Sequence, residues 1–188
     1  MPGRTRNPDL VGASREPGTR NLEPGTWNPE PGIRNLKPES PIRKIIGIGN
    51  IYRRDDSVGV LVARRLAESG LQGVEIEEAG GEGVDLMDRW ADADKVILID
   101  ATRSGAPPGT VHRLDASSET IPNSFFSYST HAFSVAEAIE LSRVLGQLPP
   151  EVLVFGIEGL DFSTGEGLTP PVAEVLDQVI ELVIAEIH

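Results

Sequence analysis

Cysteine is absent from the 188 residues. That excludes disulfides, thiolate nucleophiles and cysteine-ligated zinc together. Long apolar runs are also lacking. Runs such as "VILI" at 96–99 fall far short of the ~20 residues that span a bilayer. Met1 is not followed by a basic and then an apolar segment of the secretory kind. The composition therefore predicts a cytoplasmic protein without a membrane partner. Basic side chains are few, 17 against 29 acidic, for a net charge of −12. The first 40 residues hold six cationic and five acidic side chains, so the remaining body carries −13. Such a body repels phosphate backbones, which argues against a nucleic-acid partner. Catalytic signatures are missing as well. There is no H-E-x-x-H, no G-x-S-x-G and no P-loop lysine, so the commonest zinc-protease, serine-hydrolase and nucleotide-binding readings have no support.

What is present begins with a repeat. Residues 16–36 read "EPGTRNL", "EPGTWNP", "EPGIRNL". A Pro-Gly pair in every seven-residue unit rules out a helix, and the apolar residues are too sparse to form a buried face. Residues 1–41 are expected to be a disordered Pro/Gly-rich tail, with 42–188 as the folded domain. A Pro-rich docking function is the alternative for the tail, with Trp27 as its natural contact.

The body alternates between two periodicities. Apolar strands are predicted at 43–48, 74–79, 95–101 and 151–158, with a weaker edge strand at 110–115. Helices are predicted at 57–68, after the glycines of 80–83, at about 135–145 and from Thr169 onward. Ser134 and Glu137 form a capping box before the third helix and Gly146 ends it. Pro170 and Pro171 open the last, whose inward residues are Val172, Val175, Leu176, Val179 and Val183. The order βαβαβ, then β, α, β, α, predicts an α/β three-layer sandwich. Its core is a mostly parallel sheet of about five strands flanked by helices. Sites in such sheets gather beyond the carboxyl ends of the strands, here at 49–56 and 100–105.

The first of these places reads "GIGNIYRRDDSVG". A dinucleotide turn would need a third glycine where Tyr52 stands, and Asp55 and Asp56 would repel a pyrophosphate. An aspartate at a helix start is an ordinary cap, but a cap does not call for two. Spacing alone leaves a cap and a site both open. Asp100 ends the strand "VILID", where a carboxylate is either solvated or lines a site. Of three histidines, His188 is terminal and His112 lies in the edge strand. His131 stands in a loop before the capped helix. Two carboxylates and an imidazole would make an open O/O/N site for a borderline divalent metal.

These segments resemble the hydrogenase maturation protease family. The resemblance runs through "GIGNIYRRDDSVGVLVARRL", "GGEGVDLMDRW", "VILIDATRSGAPPGTVHRL", "STHAFSVAEAIELSRVLG" and "VFGIEG…GEGLTPPV", in the family's order over 43–188. It implies a twisted sheet sandwiched by helices, of phosphorylase/hydrolase-like type, and an endopeptidase, aspartic-type in its carboxylates, that removes the C-terminal extension of a nickel-loaded nickel–iron hydrogenase large subunit. The family's metal-contacting residues fall on Asp56, Asp100 and His131, which would also be the catalytic ones. The metal implied is nickel presented by the large-subunit precursor, not a resident cofactor. Gly80, Gly81, Glu82 and Gly83 would line the substrate tail, and the protein would act as a monomer. A non-catalytic nickel-sensing maturation chaperone, or another peptidase on the same fold, are the alternatives. The chain departs from the family pattern at Ser57, where many members have glycine, at Asp56, where some have Glu, and at "GGEG", where G-G-T is commoner.

Overall fold

The computed structural model describes residues 40–122, 125 and 134–187. The expected disordered tail at 1–41 lies outside them except for its last two residues, and so does His131. The body is a five-stranded sheet with helices on both faces. Strands β1 (Arg43–Ile48), β2 (Glu75–Ala79), β3 (Lys95–Thr102) and β5 (Glu151–Glu158) run parallel, and β4 (Val111–Asp115) joins β5 antiparallel. The order across the sheet is β2-β1-β3-β5-β4, so the weaker predicted strand does lie at an edge.

The two central strands, β3 and β5, are buried almost throughout. This is the burial that two covered faces require of near-continuous apolar runs. Helix α1 (Val58–Glu68) and the C-terminal α5 (Leu176–Ile187) cover one face, through Val58, Val62, Leu66, Val179 and Val183. Helices α2 (Gly83–Trp90) and α3 (Val135–Leu145) cover the other, through Leu86, Trp90, Ala136 and Ile139. Successive crossovers therefore run in opposite directions: β1 goes outward by α1 to β2, and β2 returns by α2, past β1, to β3. The gap between β1 and β3 is thus the switch point, where clefts form in such sheets.

Local signals act as expected at α3. Ser134 and Glu137 make the reciprocal capping box, and Gly146 ends the helix in the left-handed conformation at φ 67°. Two boundaries differ from expectation. The helix predicted from residue 57 is preceded by a 3-10 turn, Arg54–Ser57, and the final helix breaks into α4 (Pro170–Glu174) and α5. Val175 sits at that break and is only partly buried. Among the described residues no helix is long and apolar enough to cross a membrane.

Candidate active site

Gly47 and Gly59 bring α1 unusually close to the sheet. A Cβ at Gly47 would lie 2.2 Å from the Gly59 carbonyl oxygen, and one at Gly59 2.2 Å from that of Ile99. Only hydrogen fits at this crossing, so the turn before α1 is pressed against the ends of β1 and β3. Gly49 completes the arrangement. Its φ of 142° is open to glycine, and a Cβ there would stand 1.7 Å from the Asp56 carbonyl oxygen. The Asn50 amide donates to that same oxygen at 3.2 Å. The glycines of "GIGN" thus seat the Asp56 backbone directly beyond β1. They cradle protein backbone, not phosphate.

Three buried carboxylates and one half-buried one gather at this end of the sheet, and their partners separate them. Asp55 is fully buried. Its Oδ2 accepts from the Leu160 and Asp161 amides at 2.9 and 3.0 Å and from Thr169 Oγ1 at 2.8 Å; its Oδ1 accepts from the Thr169 amide at 2.7 Å. From its position at a helix start, a cap is one of the two readings open for Asp55. It makes no side-chain cap there. It clamps the 160–169 loop instead, because a buried carboxylate is stable only where donors surround it. Arg53 and Arg54 serve the same seam. Arg53 Nη2 donates to the Phe162 carbonyl at 3.2 Å, the Arg54 amide donates to the Gly165 carbonyl at 2.9 Å, and Arg54 Nε lies 3.1 Å from Asp161 Oδ2.

Glu158, at the end of β5, is likewise buried. It accepts from Ser104 N at 3.0 Å, Ser104 Oγ at 2.8 Å and Gly105 N at 2.8 Å. His112 Nε2 stands 3.7 Å from it, and the His112 ring meets Phe125 edge-on at 5.0 Å. Phe125 fills the space over Gly156 and accepts a hydrogen bond from Thr102 Oγ1 at its carbonyl. His112 therefore belongs to the support of this end of the sheet.

Asp100 is different. It is only 8% exposed, yet its one hydrogen bond among the described residues comes from the adjacent Ala101 amide, at 2.8 Å. Burial first, and then the charge of Asp56, raise its pKa well above the usual carboxylate range. Two carboxylates that repel one another, one of them buried with few donors, suit either a shared proton or a cation. The structure thus brings Asp56 and Asp100 together. Among the described residues no group of three metal-ligating side chains occurs, and His131, the third expected member, lies outside them. Of the expected substrate loop, Gly80 and Glu82 are exposed while Gly81 and Gly83 are buried. Gly80 borders a groove.

Comparison with known proteins bears on the family and the fold. The HycI family model, described as hydrogenase maturation protease, matches residues 60–186. The hydrogenase expression/formation protein HupD of Thiocapsa roseopersicina is 28% identical over 145 residues. The match covers 74% of this chain and 65% of that relative, a little under two thirds of its length. The hydrogenase 2 maturation protease of Escherichia coli is 29% identical over 148 residues, covering 77% and 89%. Among solved structures, the hydrogenase maturating endopeptidase HybD from E. coli superimposes with a TM-score of 0.63 at 24% identity, covering 77% of this chain and 91% of that one. The nickel–iron hydrogenase maturation protease HycI from Thermococcus kodakarensis does so with 0.61 at 26%, covering 78% and 92%.

Proposed function

The chain belongs to the hydrogenase maturation protease family, and from that membership we propose that it is the endopeptidase that trims the C-terminal extension of a nickel-loaded nickel–iron hydrogenase large subunit. The observation that carries the reading for this site is the contrast among the carboxylates. Asp55 and Glu158 are answered by internal donors, whereas Asp100 is buried beside Asp56 with its own neighbouring amide as its one donor among the described residues.

Asp56, Asp100 and His131 contact the nickel that the precursor brings. Three protein ligands leave coordination positions for the client's own groups, and a site without thiolates can release the metal afterwards. The cleavage adds water across one peptide bond and yields a new carboxylate and the freed amine of the extension. Two chemistries fit these residues: polarisation of the scissile carbonyl by the metal, or activation of a water by a carboxylate. Gly80–Gly83 lines the path of the extension. The protein works as a monomer and in the cytoplasm, a compartment that its lack of cysteine suits.

The test is incubation with nickel-loaded precursor, following the size shift. The parent chain trims it, and it leaves nickel-free precursor intact. Asp56→Ala and His131→Ala abolish trimming. Normal trimming by both variants would remove the assignment. Stable capture of untrimmed precursor by the parent chain would make it a sensor instead.

A further inference from the structure

Asp56 stands on a 3-10 turn of only four residues, Arg54–Ser57, and is half-buried. Such turns are short and their hydrogen-bond geometry is poor. This one must also hold a charge against a like charge, since Asp56 and Asp100 repel one another. Left to itself, a turn of this kind would relax until the pair parted. Its anchor comes from more than a hundred positions away. The Arg54 amide donates to the Gly165 carbonyl and the Gly165 amide to the Tyr52 carbonyl, both at 2.9 Å, across an isolated bridge between Arg53 and Gly165. The Asp55 amide donates to the Asp161 carbonyl at 3.1 Å. With the Arg53 bond to the Phe162 carbonyl and the four bonds to the Asp55 carboxylate, every residue from Tyr52 to Asp55 is tied to the 160–169 loop.

Two details set this anchoring apart from ordinary loop packing. Arg54 has φ 46°, and among the described residues no other residue except glycine has a positive φ. A left-handed backbone strains a residue that carries a side chain, and it persists only where the surroundings over-determine it. Here it falls one residue before Asp55 and Asp56, which diverge, Asp55 toward the loop amides and Asp56 toward Asp100. Thr169 is the second detail. It is the N-cap residue of α4, a position where a threonine oxygen ordinarily accepts from a helix amide. Thr169 makes no such bond. Its hydroxyl donates to Asp55 Oδ2 at 2.8 Å instead.

We propose that Asp55 and Thr169 are positioning residues for the cleavage: their hydrogen bonds pin the 3-10 turn to the 160–169 loop and so hold Asp56 at Asp100, against charge repulsion, before any metal arrives. The proposal rests on the reading of Asp56 and Asp100 as metal contacts given above. A carboxylate suits the task because its two oxygens take all four donors at once. Asparagine in its place would turn an NH2 group on one of those donors. Preorganisation is the gain. A ligand pair held in place by its supports need not be reassembled each time a metal is presented, whereas an unsupported pair would spread and meet the metal with one carboxylate.

The experiment has two arms on the full chain and compares the parent with Asp55→Asn, Thr169→Val and Thr169→Ser. The first arm follows trimming of nickel-loaded precursor at a temperature where circular dichroism shows each variant folded. The kcat of Asp55→Asn falls at least about tenfold and that of Thr169→Val about fivefold, as the loss of one hydrogen bond implies, while KM stays within about twofold of the parent's. Thr169→Ser, which keeps the hydroxyl, restores the parent's kcat. Parental kcat in Thr169→Val, or a Thr169→Ser as slow as Thr169→Val, would overturn the positioning role and leave the protease reading intact. Thr169→Val decides this even if Asp55→Asn does not fold. The second arm records amide NMR of the metal-free protein. Thr169→Val shifts the amides of Asp56 and of Ala101, which bonds the Asp100 carboxylate, and Thr169→Ser returns them. Shifts confined to residues 160–175 would overturn the proposal. This arm decides it even if the chain trims nothing, a result that would sink the protease reading alone.

Discussion

Asp100 carries a cost that the metal-free protein bears. Its carboxyl is buried and faces the charge of Asp56, so its pKa in the folded state lies well above the usual carboxylate range. Between the ordinary value of about 3.9 and that raised value, the folded state holds a proton that the unfolded chain has released. Stability therefore falls as pH rises through this window, and below it both states are protonated and the contribution vanishes. Asp100→Asn keeps the shape and cannot titrate. In metal-free protein the variant should melt above the parent at neutral pH, and the two melting curves should converge near pH 4. Parallel profiles across that range, read by thermal unfolding, would show that Asp100 is solvated after all. The same residue shows what single positions in a sequence reveal. A carboxylate ending "VILID" could be placed at a strand's carboxyl end by pattern alone. Its shortage of donors among the described residues could not, because that depends on where loops distant in sequence send their amides. Asp55 shows the converse. Beside Asp56 it looked like half of a site or a cap, and its four donors come from residues 160–169, more than a hundred positions away.

At the level of elements, the seat of α1 on the sheet sets where Asp56 stands. The helix was legible from Val58, Val62 and Leu66 on one face. The need for glycine within it was not, since Gly59 reads as a poor helix former until its neighbours are known. In the fold, a Cβ at Gly59 would meet the Ile99 oxygen at 2.2 Å and the Ile48 oxygen at 2.4 Å. Both contacts are backbone atoms of β3 and β1, which cannot swing aside as a side chain would. Gly59→Ala gains about 1 kcal/mol of helix propensity, but it must lift α1 from β1 and β3. Overpacking of this kind costs ~1–3 kcal/mol, and here it should sit at the upper end or beyond. A net loss of about 2 kcal/mol corresponds to a melting temperature lower by ~4–8 °C in a domain of this size. Trimming should fall further than stability alone explains, because lifting α1 also carries away the turn that holds Asp56. A variant melting with the parent and trimming normally would mean that α1 can settle elsewhere without moving the carboxylate. The capping box and Gly146 of α3, by contrast, could be read directly, since their chemistry is complete within a dozen residues.

The whole body closes on itself. Both faces of the sheet are covered, one by α1 and α5 and the other by α2 and α3, and the parallel strands lie between them with β4 and β2 at the edges. The fold class was legible because it follows from alternation of strand and helix along the chain, a signal spread over 140 residues and tolerant of errors at any one boundary. The candidate site could be read only where a carboxylate coincided with a strand end. Residues 1–39 have little apolar surface to offer a core. Their Pro-Gly repeats break helices, and their large apolar side chains are few. Their near-neutral charge also leaves the body's −13 unbalanced, so electrostatic attraction along the chain supplies no strong reason for the tail to bind the body. A chain beginning at residue 40 should therefore unfold at the parent's temperature and trim nickel-loaded precursor at the parent's rate. A lowered melting temperature would show that the repeats complete the fold. Unchanged melting with a raised KM for the precursor would show that they hold the client, with Trp27→Ala in the full chain expected to reproduce that loss.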